Sequence, residues 1–280
     1  MKTIKEGKTM TTRKSNGRCK SVFGTREWAA YNENCILGCS HDCKYCYAKE
    51  NAIRKKWKTP ITWKNETRNK RTLPKRYPKR EGRIMFPTTH DITPSHLQEC
   101  MDFMDHLLLP GNEVLVVSKP HLDCIKAICA RFADYKDKIL FRFTITSTDS
   151  NILKFWEPNA PNLQERLSAL QYAFEQGFQT SSCCEPMLDN NVGDLISQTS
   201  PFATHSIWLG KMNMPFERLQ MNGENDPVTI AKAHQLIAMQ TDAYIWGLYF
   251  KYKDNPKVKW KDSIKKIVGL EVATEPGLDA

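Results

Sequence analysis

Apolar residues follow two alternating patterns along most of this 280-residue chain. Short apolar runs such as "NEVLVVS" (112–118) and "KILFRFTITS" (138–147) are typical of buried strands. Longer segments such as "HLDCIKAICARFADY" (121–135) carry apolar residues three and four positions apart, which predicts helices. Further strands are predicted over 83–87, 178–187 and 204–210, and further helices over 94–109, 161–177, 192–200 and 226–242.

Alternating strands and helices predict a parallel sheet joined by right-handed crossovers. If the segment that begins near residue 31 is the first unit, the chain holds about six strand–helix units, fewer than the eight of a closed barrel. The predicted fold class is therefore α/β, as a partial (β/α)6 TIM-like barrel with functional residues at the C-terminal ends of its strands. We expect a basic N-terminal arm over 1–30, the barrel over 31–242 and a C-terminal extension over 243–280.

The positive charge of the chain is concentrated in one insert after the first predicted unit. Residues 51–83 contain thirteen Lys or Arg and two Glu, whereas the remaining residues carry 28 basic and 29 acidic side chains. Trp57, Trp63 and Tyr77 are interleaved with these charges. Because basic side chains neutralise phosphates and aromatic rings stack on bases, the insert predicts nucleic-acid binding. The alternative is a solvated loop whose aromatic residues pack on the neighbouring domain.

The cellular compartment is predicted from two features that the sequence lacks, a membrane-spanning segment and a secretory signal. The sequence has no apolar run of about 18 residues, as a membrane-spanning helix would need. The basic N-terminus is not followed by the apolar stretch of a secretory signal. We therefore expect a cytoplasmic protein with no membrane contact, in which the ten cysteines stay mostly reduced rather than forming disulfides.

Four of those cysteines lie within "NENCILGCSHDCKYCYAKEN" (32–51). Cys39, Cys43 and Cys46 have C-x3-C-x2-C spacing. Three thiolates on one loop can bind three irons of a 4Fe-4S cluster and leave the fourth iron open to chelate a substrate. A zinc site with His41 or Cys35 as the fourth ligand is the alternative. Against zinc, His41 lies between two ligands in a tight loop, and no second C-x2-C or H-x3-H pair follows.

The C-x3-C-x2-C spacing resembles the signature of the radical S-adenosylmethionine superfamily. The longer stretch "GCSHDCKYCYA" (38–48) is similar to the form found in spore photoproduct lyase and its relatives. Other segments that resemble this family are "TTHDITPSH" (88–96), "VLVVSKPHL" (114–122), "RFTITSTDSNILKFWEPNAPNLQERLSALQYAFEQG" (142–177) and "CCEPMLD" (183–189). The resemblance covers about residues 31–210 and leaves the basic insert and the last 70 residues without a counterpart. This sequence departs from the family pattern at Pro120, where the family has serine, and at Cys183, where the family has proline.

The resemblance implies a 4Fe-4S cluster on Cys39, Cys43 and Cys46, with S-adenosylmethionine bound to the open iron. One electron from the cluster would cleave S-adenosylmethionine to a 5′-deoxyadenosyl radical, which abstracts hydrogen from a substrate. A flavodoxin-type or ferredoxin-type protein would supply the electron. Three functions remain open: a radical enzyme acting on nucleic acid in repair or base modification, a radical modifier of a peptide, protein or small metabolite, and a non-catalytic zinc-stabilised nucleic-acid-binding protein.

The resemblance also suggests cofactor-binding residues. Tyr45 lies at the position where the superfamily has an aromatic residue near the adenine. Lys119 ends a predicted strand and is suited to pair with the carboxylate of S-adenosylmethionine. Thr144 corresponds to a cofactor-facing serine, and strand alternation places Thr146 on the same side and Ser147 on the other. For each of them the alternative is ordinary packing or a solvent-exposed turn.

Cys183 and Cys184 end the fifth predicted strand, so one of them must face the barrel interior. A thiol facing the pocket can donate hydrogen to a substrate radical, and a buried apolar role is the alternative. Thr89, His90 and Asp91 follow the second strand and are suited either to a pocket or to a turn. We expect Glu157 and Arg166 to form a structural pair.

Overall fold

The computed structural model describes residues 22–69 and 77–278. The predicted N-terminal arm as far as residue 21 and residues 70–76 of the basic insert lie outside the described residues. The strands are β1 (Tyr31–Asn32), β2 (Ile36–Leu37), β3 (Thr67–Arg68), β4 (Ile84–Phe86), β5 (Val114–Ser118), β6 (Ile139–Thr144), β7 (Gln179–Cys184), β8 (Ser206–Leu209) and β9 (Val258–Trp260). The helices are α1 (Tyr47–Arg54), α2 (Leu97–Leu108), α3 (Leu122–Arg131), α4 (Ser150–Trp156), α5 (Leu163–Glu175), α6 (Val192–Thr199), α7 (Pro215–Asn222), α8 (Pro227–Met239), α9 (Asp242–Tyr252) and α10 (Asp262–Val268).

Seven strands form one parallel sheet in the order β1-β4-β5-β6-β7-β8-β9. Each strand pairs with the next strand of this order in parallel register, for example Val116 with Phe141 and Phe143 with Ser182. The predicted α/β class with a parallel sheet is therefore confirmed. The sheet has seven strands rather than six, because β9 adds a strand from the segment that we expected to be a C-terminal extension.

The two faces of the sheet have different neighbours, as the period of two residues in a strand requires. Phe141, Phe143 and Cys184 face the large core beneath the helices. Leu140, Cys183 and Trp208 belong to a smaller cluster on the concave face, together with Trp28. The concave face is thus filled by side chains from the middle of the strands, and their C-terminal ends remain available for a site.

Residues 22–30 connect the two edges of the sheet. They precede the edge strand β1, and Trp28 packs against Trp208 with ring centroids 5.6 Å apart. The buried Lys261, directly after the opposite edge strand β9, donates from Nζ to the carbonyl of Gly24 at 2.8 Å and pairs with Glu27 at 2.9 Å. This segment therefore closes the open side of the partial barrel.

The described part of the basic insert folds onto the loop that carries the cysteines. β3 pairs antiparallel with β2, and the Trp63 ring is buried beside Cys39. Tyr77 is also buried and donates a hydrogen bond to Glu33, whereas Trp57 is 53% exposed. Two of the three interleaved aromatic residues thus pack on the domain, and one remains on the surface. In the described ranges, every helix is too short or too polar to cross a lipid bilayer.

Candidate active site

The C-x3-C-x2-C motif lies on the loop between β2 and α1. The loop begins at Gly38, whose φ is +103°, and the Cys39 amide donates to the carbonyl of Trp63 at 3.1 Å. The loop ends where Cys46 caps α1, with its Sγ accepting the Lys49 amide at 3.4 Å. The hydrogen bond from the Lys49 amide lowers the pKa of Cys46, but burial raises it overall.

All three cysteines of the motif line one cavity of about 830 Å³. The cavity lies at the C-terminal ends of the parallel strands, where β/α folds place their ligands. Other predicted residues that line it are Tyr45, Thr89, His90, Asp91, Lys119, Thr144 and Cys183. Ten residues were predicted to bind a metal or cofactor or to donate hydrogen. Seven of them line this one cavity: Cys39, Cys43, Cys46, Tyr45, Lys119, Thr144 and Cys183. Thr146, Ser147 and Cys184 do not line it.

Asp91 connects the cysteine loop to the end of β5. Its Oδ1 accepts the Lys119 amide at 2.7 Å and the Ser118 hydroxyl at 3.0 Å, and its Oδ2 lies 2.8 Å from His41 Nδ1. Burial alone would raise the pKa of Asp91, but Lys119 and His41 hold it well below its usual range. Asp91 is thus an ionised carboxylate that fixes Lys119 at the wall of the cavity.

His41 lies inside the motif but does not point freely into the cavity. Its Nδ1 contacts Asp91 and its Nε2 lies 3.0 Å from His121 Nε2. Ligand atoms of Cys39, His41 and Asp91 lie within 4.8 Å of one another, which is compact enough to hold a metal ion. A mixed metal site with His41 therefore stays open as an alternative to the three-cysteine set.

A second polar network anchors Tyr45, which lies between Cys43 and Cys46. The Tyr45 hydroxyl donates to Glu157, which also accepts the Thr146 hydroxyl at 2.8 Å and pairs with Arg166 at 2.5 Å. Burial would raise the pKa of Glu157, but Arg166 and Lys119 lower it overall. Thr146 thus supports this network from behind the cavity wall, and Glu157 and Arg166 form the expected ion pair.

The remaining polar residue predicted to bind the cofactor, Ser147, takes part in a turn. Its hydroxyl donates to Asp189 and accepts the amide of Asp149 at 2.9 Å. Asp149 in turn caps α4 by accepting the amides of Asn151 and Ile152. Ser147 is therefore engaged with protein groups and does not line the cavity.

Strand alternation separates the two adjacent cysteines of β7. Cys183 lines the cavity, and burial raises the pKa of its thiol to about 12, so it carries its proton at neutral pH. Cys184 faces the helical core, where its thiol donates to the carbonyl of Thr146 at 3.4 Å. Only Cys183 is positioned to meet a bound molecule.

Sequence reasoning missed the rim of the cavity, which is rich in cations and exposed apolar side chains. Arg26 and Lys211 line it, as do Phe23 and Met214, which are 69% and 54% exposed. These residues come from segments far apart in the chain, so no local motif could have revealed them. The signal appears only once the fold brings the segments together.

The residues at this cavity fit a 4Fe-4S cluster. Three thiol ligands on one loop form the soft donor set that iron–sulfur clusters and zinc prefer. The cavity volume lies in the range of about 300–1,000 Å³ that is usual for small-molecule sites. The cavity therefore has space for a second molecule beside the three thiols.

No protein-family model matches the chain. The chain is 24% identical over 181 residues to the uncharacterized protein MJ0683 of Methanocaldococcus jannaschii, an alignment that covers 62% of this chain and 67% of that protein.

Two kinds of solved structure are similar to this chain. A mutant of spore photoproduct lyase with dinucleoside spore photoproduct matches with a TM-score of 0.50 and 13% identity, over 87% of this chain and 79% of that one. Streptococcus suis SuiB matches with a TM-score of 0.51 when bound to S-adenosylmethionine and 0.52 when bound to the precursor peptide SuiA. Both SuiB matches have 10% identity and cover 89% of this chain and 54% of SuiB. The chain therefore shares its fold with spore photoproduct lyase and SuiB, and the fold expected from the resemblance in the sequence is confirmed.

Proposed function

We propose that this chain is a radical S-adenosylmethionine enzyme that binds a 4Fe-4S cluster through Cys39, Cys43 and Cys46. The observation that carries the proposal is that these three thiols, from one loop, line a single large cavity at the C-terminal ends of a parallel sheet. When bound, the cluster and S-adenosylmethionine supply a carbon-centred radical that removes hydrogen from a substrate. A flavodoxin-type or ferredoxin-type protein is the proposed reductant.

The protein residues position the bound molecules. The Lys119 ammonium lies 5.8 Å from the centroid of the Tyr45 ring and 4.0 Å from Asp91, on the cavity wall. A fixed cation there suits a carboxylate, which makes Lys119 our candidate partner for the carboxylate of S-adenosylmethionine. Thr144, at the end of β6, offers a hydroxyl on the same wall.

Cys183 is our candidate hydrogen donor. Its buried thiol is protonated and lines the cavity, so it can give a hydrogen atom to a carbon radical on the substrate. A carbon–hydrogen bond then forms and the sulfur–hydrogen bond breaks, leaving a sulfur radical. One electron from the proposed reductant and one proton from solvent restore the thiol.

Nucleic acid, undergoing repair or base modification, is the substrate class that we propose. The exposed basic residues of the insert include Lys55, Lys56, Lys64 and Arg68, and the Trp57 side chain is exposed among them. Cations and an exposed Phe23 also surround the mouth of the cavity. Such surfaces neutralise phosphates and stack on bases.

The enzyme class is tested by anaerobic reconstitution with iron and sulfide, followed by reduction in the presence of S-adenosylmethionine. We expect a brown protein that forms 5′-deoxyadenosine, and a Cys39→Ala, Cys43→Ala, Cys46→Ala variant that forms none. A Cys124→Ala, Cys129→Ala variant is the control, because these cysteines lie on α3 in the core. A colourless wild-type protein that retains zinc and forms no 5′-deoxyadenosine would instead support the zinc-stabilised binding protein.

The substrate class is tested by binding to single-stranded and duplex nucleic acid at several salt concentrations. Replacing Lys55, Lys56, Lys64 and Arg68 by alanine should weaken binding and reduce the salt slope by about 0.9 for each duplex phosphate that is no longer neutralised. The control replaces four exposed or half-exposed lysines elsewhere, at 126, 138, 251 and 253. Binding that both variants leave unchanged, or no binding at low salt, would direct the search to peptide, protein or metabolite substrates.

A further inference from the structure

A second pair of thiols lies beside the cysteine loop, separate from the three motif cysteines. Cys35, in the loop before β2, and Cys100, on α2, have their sulfur atoms 3.7 Å apart. Both residues are buried, with 3% and 0% exposure. The fold thus brings together two thiols from positions 65 residues apart in the sequence.

His90 provides a proton acceptor for this pair. Its Nδ1 lies 2.9 Å from the carbonyl oxygen of Asp91, which can only accept, so Nδ1 carries the hydrogen. Its Nε2 accepts the Ile36 amide at 3.3 Å, so Nε2 is unprotonated, and it lies 3.9 Å from Cys35 Sγ. His90 Nε2 therefore lies between the Ile36 amide and the Cys35 thiol.

The two thiols are electrostatically unequal. A hydrogen bond from Cys100 lowers the pKa of Cys35 against the opposing effect of burial. The pKa of Cys100 is raised by the same contact and by burial. In contrast, burial raises the pKa of Cys129 to about 12. A thiol of lowered pKa beside a thiol of raised pKa is the arrangement of an attacking and a resolving cysteine.

We propose that Cys35 and Cys100 form a redox-active dithiol that closes reversibly to a disulfide when a peroxide enters the cavity. Cys35 Sγ attacks one peroxide oxygen, the oxygen–oxygen bond breaks, and a sulfenic acid and water result. Cys100 Sγ then attacks the Cys35 sulfur, the disulfide forms and the second water leaves. Two thiols and one hydrogen peroxide thus give one disulfide and two waters, and a dithiol reductant reverses the change.

The surroundings suit this reaction. His90 lines the cavity and lies 3.9 Å from Cys35 Sγ, whereas Cys35 and Cys100 lie behind His90 and do not line the cavity themselves, so a small peroxide must pass His90 to reach them. Disulfide formation shortens the sulfur–sulfur distance from 3.7 Å to about 2.05 Å. The bond would join the loop that leads into the cysteine motif to α2. In this loop, the Cys35 carbonyl also accepts a hydrogen bond from the Asn69 amide, at 2.7 Å.

The test treats the full-length protein, with and without reconstituted cluster, with one equivalent of hydrogen peroxide. Free thiols are then alkylated, and the peptides are analysed by mass spectrometry. We expect a peptide pair linked through Cys35 and Cys100 that dithiothreitol separates. Free thiol at Cys35 should disappear at least about tenfold faster than at Cys129, because the thiolate is the reactive form.

Two variants keep the proposal falsifiable. In Cys100→Ser the resolving thiol is absent, so dimedone should trap a sulfenic acid at Cys35. In Cys129→Ser, the matched control, the link between Cys35 and Cys100 should form as in the wild type. The proposal is overturned if Cys35 and Cys100 both stay free while other cysteines oxidise, or if no sulfenic acid is trapped in Cys100→Ser. Neither readout depends on radical activity, so the result stands apart from the proposed function.

Discussion

At the scale of single residues, Gly38 is the position where the backbone requires glycine most strictly. Its φ is +103°, and an added Cβ would lie 2.6 Å from the Trp63 carbonyl oxygen and 2.9 Å from that of Asn65. Both neighbours are backbone atoms, so they cannot swing away as a side chain would. Gly38→Ala should destabilise the fold by more than about 1 kcal/mol and reduce the iron bound per chain after reconstitution.

Thermal unfolding and iron content after gel filtration measure these two effects. Gly247→Ala, on α9, is the matched control, because an added Cβ there meets nothing within 4 Å. Alanine in a helix is favoured over glycine by about 0.5–1 kcal/mol, so the control should be neutral or slightly stabilising. If Gly38→Ala retains the melting temperature and iron content of the wild type, the close approach of the insert to the cysteine loop is not essential.

Glu66 shows that a single carboxylate of the insert also supports the site. Its two oxygens accept the Ser40 amide at 2.8 Å and the Thr93 hydroxyl at 2.7 Å. It therefore connects the cysteine loop to the segment that carries Asp91. Since hydrogen bonds to a charged group contribute about 1.5–3 kcal/mol, Glu66→Ala should loosen this loop and release iron faster to a chelator.

The rate of iron release from reconstituted protein measures this prediction. Glu81→Ala is the control, because Glu81 belongs to the same insert and is exposed. Equal release rates in the two variants would show that Glu66 does not stabilise the loop. A faster rate only in Glu66→Ala would give the insert a structural role in addition to any nucleic-acid binding.

At the scale of elements, His205 at the start of β8 makes the stability of the fold depend on pH. Burial and the nearby Arg142 and Arg83 lower the pKa of His205 from 6.5 to about 4. Between these values the unfolded chain binds more protons than the folded chain, so stability falls as the pH decreases from 6.5 towards 4. In His205→Gln this contribution disappears, and the melting temperature should fall less between pH 6.5 and pH 4.5.

Melting curves at half-unit pH steps measure the difference. His234→Gln, on the exposed face of α8, is the control and should keep the pH dependence of the wild type. A His205→Gln variant with an unchanged pH profile would mean that His205 binds protons equally well in the folded and unfolded chain. In that case the cations near the start of β8 do not exclude a further positive charge.

The sequence patterns predicted elements well where an element is long or its surroundings are uniform. The apolar runs of β5 and β6 indicated strands because both of their faces are buried. Two short elements, α4 and α7 with 7 and 8 residues, went unpredicted, although α6, which also has 8 residues, was predicted. β9 has only three residues and follows α9, whose apolar residues surround the helix. The strand pattern of β9 could therefore not be distinguished from the apolar pattern of α9.

The residues of the candidate site also fall into two groups: those that a local sequence pattern predicts and those that only the fold brings together. The motif cysteines and Lys119 were predicted because the spacing or the strand end is local in sequence. The contacts of Asp91 with His41, Ser118 and Lys119 span 27 to 50 residues, and the pair of Cys35 and Cys100 spans 65. Such contacts depend on the packing of loops from different strands, which no periodicity of apolar residues encodes.

At the scale of the whole molecule, closure of the partial barrel depends on a buried cluster of charges. Lys261 has 0% exposure, and its ammonium lies 2.9 Å from Glu27 and 3.5 Å from Glu185. It also lies 4.0 Å from the centroid of the Trp28 ring. Because Glu27 belongs to the segment before β1 and Lys261 follows β9, this single side chain holds both edges of the sheet next to the cavity wall.

Lys261→Ala should therefore be severely destabilising. Removing the ammonium leaves the buried Glu27 and the cavity-lining Glu185 without their cationic partner, and breaking a buried ion pair in this way typically costs about 3–5 kcal/mol. Urea unfolding followed by tryptophan fluorescence measures the destabilisation, because Trp28 and Trp208 lie at the junction. Lys259→Ala, two residues away and exposed on β9, should unfold near the wild-type midpoint. If both variants unfold at the same urea concentration, the charge cluster does not close the barrel, and the apolar contacts of Trp28 must do so instead.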